Sequence, residues 1–200
     1  KLLDSVIVLT DDTRISQYCS VNDMRCIVID EECRTGTDRC AKALDLIDGD
    51  IFVNIQGDEP LIDPEAIDTL IHSHSNNGIS NAYVEIDFYS DKRHDNNVVK
   101  VVTDSYNNAI YYSRLSIPYY QKEETIVKQQ LGLYAFHREF LDMFTKLPVR
   151  DLEKSESVEM LRYVENGYKV KMVKVKDEGY SVDTPDDLVI VEEILRKRLC

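Results

Sequence analysis

The first eighty residues alternate between short β-branched runs and stretches of helical period, and few architectures accommodate that order. Ser5–Thr10, Arg25–Asp30 and Asp50–Gln56 read as strands, rich in Val and Ile. Between them, Asp11-Asp12 caps a helix to about Ser20, and Thr35–Ile47 reads as a helix with Ala41, Leu44 and Ile47 on one face. Asp63-Pro64-Glu65 opens a third helix, with Asp as the cap and Pro at the first helical position, and that helix stops in Asn76-Asn77-Gly78. A βαβα order predicts an α/β fold, a mixed and mostly parallel sheet with helices on both faces.

The pattern changes after Ser80. Asn81–Phe88 reads as a strand, Val98–Thr103 and Ala109–Ser113 as a hairpin around Asp104–Asn108, and Gln130–Phe136 as a further strand. Helices are expected over His137–Thr145 and Glu153–Glu165, the second stopping at Asn166-Gly167. Tyr168–Lys176 is the last strand. Thr184-Pro185-Asp186 caps a final helix with Leu188, Val191 and Leu195 inward. With no repeat and no linker, 200 residues suit one domain whose later half is added to the same sheet.

Composition removes some function classes. A net charge of −13 argues against a general nucleic-acid binder, which would carry a basic stripe. It is compatible with a nucleotide substrate, because magnesium bridges carboxylates to phosphates. No apolar run reaches the roughly 18 residues of a membrane span, so neither a transmembrane helix nor a signal peptide is expected. Cys19, Cys26, Cys33 and Cys40 fall in no metal-binding spacing, and Cys200 makes the count odd, so free thiols in a reducing cytoplasm are expected. His72 and His74 lie two apart on a helix, share no face and read as surface residues. Among the histidines and cysteines nothing suggests a nucleophilic triad.

Two acids stand out. Asp58 follows the strand Asp50–Gln56 in VNIQGDEPLI, and Asp183 lies in YSVDTP just before a helix cap. Turn chemistry and capping explain either residue alone. As a pair at strand-to-helix turns on one sheet edge, they suit a hard cation bound through oxygen. Thr35-Gly36-Thr37-Asp38-Arg39 opens a helix whose amides suit an anion or a base edge. Arg114, after its strand, carries a planar fork that fits a carboxylate. Lys100, inside VVKVV, reads as the solvent-facing member of an alternating strand.

These stretches together resemble the 3-deoxy-manno-octulosonate cytidylyltransferases. The matches are TDD at Thr10–Asp12, TGTDR at Thr35–Arg39, VNIQGDEPLI at Val53–Ile62, NVVKVV at Asn97–Val102 and YYSRLSIPYY at Tyr111–Tyr120. They continue in family order with GLYAF at Gly132–Phe136, LEKSESVEMLRYVENG at Leu152–Gly167 and VDTPDDL at Val182–Leu188. The resemblance implies a nucleotidyltransferase-type, Rossmann-like sandwich. It implies transfer of a cytidylyl group from CTP to a 3-deoxy sugar acid, with release of pyrophosphate, in lipopolysaccharide or surface-glycan synthesis. It further implies a cytoplasmic, Mg2+-dependent homodimer, with residues about 98–136 forming the sugar pocket or the dimer contact. Asp58 and Asp183 would hold the metal; Lys100 would help place the sugar or the phosphates. Arg114, Gln130, Tyr134, Glu159 and Met160 fall at sugar-site positions, and Thr35, Gly36, Arg39 and Gln56 at nucleotide-site positions. The alternatives are a nucleotidyltransferase for a sugar phosphate and a non-catalytic paralogue.

Three departures from the family pattern matter. The family's opening strand and phosphate loop, of the form PAR-x-x-S-x-R-x-PGK, have no counterpart here, so the sequence is either truncated or lacks that element. Gln130 stands where a His is usual, and Met160 where a Gln is usual. A sugar hydroxyl losing either partner would cost roughly 1–3 kcal/mol if buried, which points to a modified or different 3-deoxy-ulosonic acid.

Overall fold

Alternation of β-branched and helical segments produces the expected α/β order, seen in a computed structural model that describes residues 2–74, 78–122, 124–177 and 179–199. β1 (Val8–Thr10), α1 (Thr13–Val21), β2 (Cys26–Val28), α2 (Gly36–Lys42), β3 (Ile51–Ile55) and α3 (Pro64–His74) fill the first part. β4 (Ile79–Ile86), the hairpin β5 (Lys100–Thr103) and β6 (Ala109–Ser113), and the long β7 (Val127–His137) follow. α4 (Arg138–Phe144), α5 (Asp151–Glu156), α6 (Leu161–Glu165), β8 (Lys171–Lys174) and α7 (Pro185–Leu199) complete the chain. The Asn76-Asn77 helix stop and Cys200 lie outside the described residues.

β1 and β2 pair in parallel. The larger sheet runs β6-β5-β7-β4-β8, with β3 also on β7. β3, β4 and β5 each run antiparallel to β7, and β8 runs parallel to β4. Four of its strands (β3, β4, β5 and β8) therefore share one direction, and β7 and β6 oppose them. The antiparallel ladders come from the later half of the chain, where a hairpin and a returning strand replace the βα crossovers.

β7 organises the core. Its even positions Tyr134 and Phe136 enter one cluster with Tyr112, Phe144, Met160 and Tyr163. Its odd positions Leu131, Leu133 and Ala135 enter another with Leu70, Ala82 and Val173. This is the period of two along a strand buried on both faces. Each buried Leu contributes about 1.5–3 kcal/mol.

Four local expectations are corrected. The helix from Thr35 ends at Lys42 and passes through a 3-10 turn at Leu44–Leu46. There the Arg138 guanidinium takes the carbonyls of Leu44 and Ile47, at 2.5 and 3.0 Å, so the freed acceptors are satisfied. The helix over Glu153–Glu165 is two helices, broken at Ser157 in the left-handed region (φ 51°). Among the described side chains of α7 only Val191 is buried, while Leu188 and Leu195 are exposed. The apolar residues Leu188–Val191 are consecutive and encircle the helix, so no single face can bury them. His74 is fully buried; its Nδ1 lies 2.8 Å from Ser80 Oγ, and its ring centroid lies 4.8 Å from that of His137. Surface placement fails there because His74, on the face of α3 opposed to β4, turns inward onto Ser80.

Candidate active site

β3 and β5 pair with the same edge of β7, one at Leu133–His137 and the other at Lys128–Gln129. Between those ladders the edge is split, and a cleft of about 350 Å³ opens there. Its lining includes Thr35, Gly36, Gln56, Asp58, Arg114, Gln130, Tyr134, Glu159 and Asp183. Nine residues picked out by the sequence thus converge from six separate segments. Arg39, Lys100 and Met160 do not line it.

The turn after β3 explains how Asp58 reaches the cleft. Gln56 N–H still donates to Gly132 O at 2.8 Å, as the ladder register requires. In a regular ladder Gly132 N–H would return the bond to Gln56 O. Instead Gln56 O accepts from Glu59 N–H at 3.1 Å, closing a four-residue turn. The Glu59 carboxylate accepts the Gly132 amide at 2.5 Å. A Cβ on Gly132 would sit 3.0–3.2 Å from Gln56 and Glu59, so glycine permits this approach. Burial pushes the Glu59 carboxyl up to about 7. Sequence reading passed over Glu59, although its place beside Asp58 at the end of a buried strand was the available signal.

Asp183 arrives from the loop before α7, which is tied to the Asp58 turn by Val182 N–H donating to Asp58 O at 2.8 Å. Burial raises the pKa of Asp58, and the charge of Asp183 adds to the rise. Two carboxylates repelling each other in one cleft form an oxygen donor set that a divalent cation would relieve. Among the described residues no cluster of three or more His, Cys, Asp or Glu is placed to hold a metal. Two protein carboxylates with the remaining positions left to water and phosphate suit Mg2+, which keeps several waters.

The break between α5 and α6 builds the opposite wall. Ser157 turns the chain so that Glu159 is buried in the cleft, accepting from Thr37 N–H at 3.2 Å and Gln56 Nε2 at 2.9 Å. Burial raises its pKa against these hydrogen bonds. Arg114 donates to the carbonyls of Glu156 (2.7 Å) and Asn96 (3.0 Å), with a longer contact of 3.4 Å to Ser157. Its guanidinium meets no carboxylate side chain among the described residues, and it keeps donors for an anion. Gln130 Nε2 donates to Tyr134 Oη and to Leu131 O, both at 2.8 Å. Beneath this wall, Arg162 joins Asp38 at 2.7 Å and Glu153 at 2.6 Å in a buried ion triad, which locks the start of α2 to α5 and α6. Burial works against the Arg162 charge, and its hydrogen bonds to Glu153 and Asp38 raise its pKa overall.

Three expected site residues go elsewhere. Arg39, one turn into α2, pairs with Asp11 at 2.5 Å. Met160 is fully buried in the aromatic core and does not line the cleft. Lys100 is neither solvent-facing nor in the cleft. It is buried, and its Nζ donates to the carbonyls of Asp95, Val98 and Arg114 at 2.8, 2.6 and 2.5 Å. An ammonium has three donors, and all three are used.

A family model described as cytidylyltransferase matches residues 1–175. The chain is 38% identical to the mitochondrial 3-deoxy-manno-octulosonate cytidylyltransferase of Arabidopsis thaliana, over 98% of this chain and 70% of that one. It is 40% identical to the 3-deoxy-manno-octulosonate cytidylyltransferase of Pelobacter propionicus, over 98% of this chain and 82% of that one. Its fold superimposes, with a TM-score of 0.90 and 30% identity, on a CMP:2-keto-3-deoxy-manno-octonic acid synthetase solved with CTP, covering 98% and 82% of the two chains.

Proposed function

Because this chain belongs to the 3-deoxy-manno-octulosonate cytidylyltransferase family, we propose that it transfers the cytidylyl group of CTP to a 3-deoxy-octulosonic acid and releases pyrophosphate. One observation carries the residue assignments: Asp58 and Asp183, remote in sequence, line the same cleft as Arg114 and Glu159. Asp58 and Asp183 would hold Mg2+, which when bound orients the triphosphate and offsets charge on the leaving pyrophosphate. That cleft contains five carboxylates (Asp58, Glu59, Glu153, Glu159 and Asp183) against Arg34, Arg114 and Lys154, so its own cations are too few for a triphosphate.

Arg114 pairs the sugar carboxylate with the donors its carbonyl contacts leave free. Glu159, Tyr134 and Gln130 hold sugar hydroxyls, and Thr35, Gly36 and Gln56 meet the cytidine. Buried Glu159 fixes Gln56 through the 2.9 Å bond, so the two ligand subsites share one hydrogen-bonded floor. In-line attack by the anomeric hydroxyl on the α-phosphate needs no covalent intermediate, which suits a cleft whose described lining includes neither His nor Cys. The same reading includes a homodimer in the cytoplasm. The exposed Leu115, Tyr119 and Ile126 support a subunit contact within 98–136. No described helix is long and apolar enough to cross a membrane.

The test is pyrophosphate release from CTP, Mg2+ and 3-deoxy-manno-octulosonate. Asp58→Asn and Asp183→Asn should each abolish turnover and weaken Mn2+ binding followed by electron paramagnetic resonance, while the far-ultraviolet spectrum stays unchanged. Normal turnover in either variant would remove the metal assignment.

A further inference from the structure

Asp183 reaches the cleft on a loop whose backbone is pinned on both sides. Ahead of it, Val182 N–H donates to Asp58 O at 2.8 Å. Behind it, the carboxylate of Asp187, in the first turn of α7, accepts the amides of Asp183 and Thr184 at 3.1 and 2.8 Å and the Thr184 hydroxyl at 2.8 Å. What the backbone leaves open is rotation of the Asp183 side chain. That residue is exposed, so packing does not hold its carboxylate. Ser181 does: its Oγ donates to Asp183 Oδ2 at 2.7 Å, and both residues line the cleft. Among the described residues no Lys or Arg pairs with Asp183, and no donor reaches its Oδ1. The two oxygens of this carboxylate are therefore unlike. One is taken by a hydroxyl, and the other is open.

That asymmetry matters for a divalent cation. Ca2+ accepts both oxygens of a carboxylate in a flexible shell, whereas Mg2+ demands near-octahedral geometry, keeps several waters and leaves little room for a two-oxygen grip. A hydrogen bond that occupies one oxygen orients the other, and such outer partners tune metal affinity as strongly as some ligands do. Resting on the Asp58–Asp183 metal reading above, we propose that Ser181 is a positioning residue whose hydroxyl reserves Asp183 Oδ2, so that the carboxylate offers a single oxygen and the site favours a small octahedral cation over Ca2+.

The test compares wild type, Ser181→Ala, Ser181→Thr and Asp183→Asn. The probes are Mn2+ alone, followed by electron paramagnetic resonance, and Ca2+ as its competitor. Ser181→Ala frees Oδ2 and should weaken Mn2+ binding about 10-fold, while Ca2+ binding holds or tightens. The Mg2+ concentration for half-maximal pyrophosphate release should rise by the same factor. Ser181→Thr keeps the hydroxyl and should restore the wild-type preference. Unchanged Mn2+ affinity in Ser181→Ala would overturn the proposal. So would an equal loss of Mn2+ and Ca2+, which would make Ser181 a ligand or a mere support of the loop. Asp183→Asn separates the two levels. If it binds Mn2+ as wild type does, the metal reading itself fails; if it loses Mn2+ while Ser181→Ala does not, only the role of Ser181 fails.

Discussion

The carboxylate of Glu59 occupies, opposite Gly132, the place that the Gln56 carbonyl would hold in a continuous ladder; the bond is 2.5 Å. This exchange lets β3 leave the sheet without abandoning a buried amide, and it aims the intervening Asp58 at the cleft. Glu59→Ala should cost about 1–3 kcal/mol in urea unfolding, because the Gly132 N–H loses its acceptor. Glu59→Gln keeps an acceptor of the same reach and should recover most of that stability. Equal losses in the two variants would refute the exchange.

Lys100 acts as a positioning residue. Its three carbonyl partners fix the cleft wall at Asn97–Val99 and the backbone of Arg114. Burial lowers its pKa, yet the carbonyl cage keeps the ammonium useful as a crosslink. Lys100→Met should destabilise the protein by about 2–4 kcal/mol and raise KM for the sugar acid more than KM for CTP. Lys100→Arg should not rescue it, since a planar fork cannot converge on three carbonyls in the same space. A loss of kcat with stability unchanged would return Lys100 to the reaction itself.

His74 should make stability pH-dependent. Burial, helped by neighbouring His137, depresses its pKa from 6.5 to about 4, and its buried Nε2 has no partner. An unfolded chain takes up the proton from pH 6.5 downward, while the folded chain resists until about 4. Between those values the unfolded state holds more protons, so stability is full above pH 6.5 and drains as pH falls. The drop amounts to roughly 3 kcal/mol. His74→Gln, which can still bond Ser80, should flatten the urea midpoint across that window. An unchanged slope would mean that His74 does not titrate there.

Much of the site was legible because its residues lie at punctuated strand ends. Gly57, Pro60 and Thr184-Pro185 mark turns locally, and a carboxylate at such a turn on an open α/β sheet faces the crevice. Lys100 and His74, both read as surface residues, were misplaced for a common reason. Whether a polar residue on an alternating strand meets solvent, or a helical one meets the core, depends on what packs over it. The break at Ser157 was hidden too. Nothing between Glu153 and Glu165 opposes a continuous helix, and the left-handed turn is stabilised by the distant Arg114, which takes the carbonyls that the break releases.

By itself the sequence determined the order of strands and helices, the family, and the pair of acids, since these follow from side-chain period, turn chemistry and motifs contiguous along the chain. Tertiary structure alone decided which residues share the cleft and which brace it. That choice depends on two strands meeting one edge of β7 with a gap between them, and on hydrogen bonds closed between segments whose separation along the chain leaves no local trace.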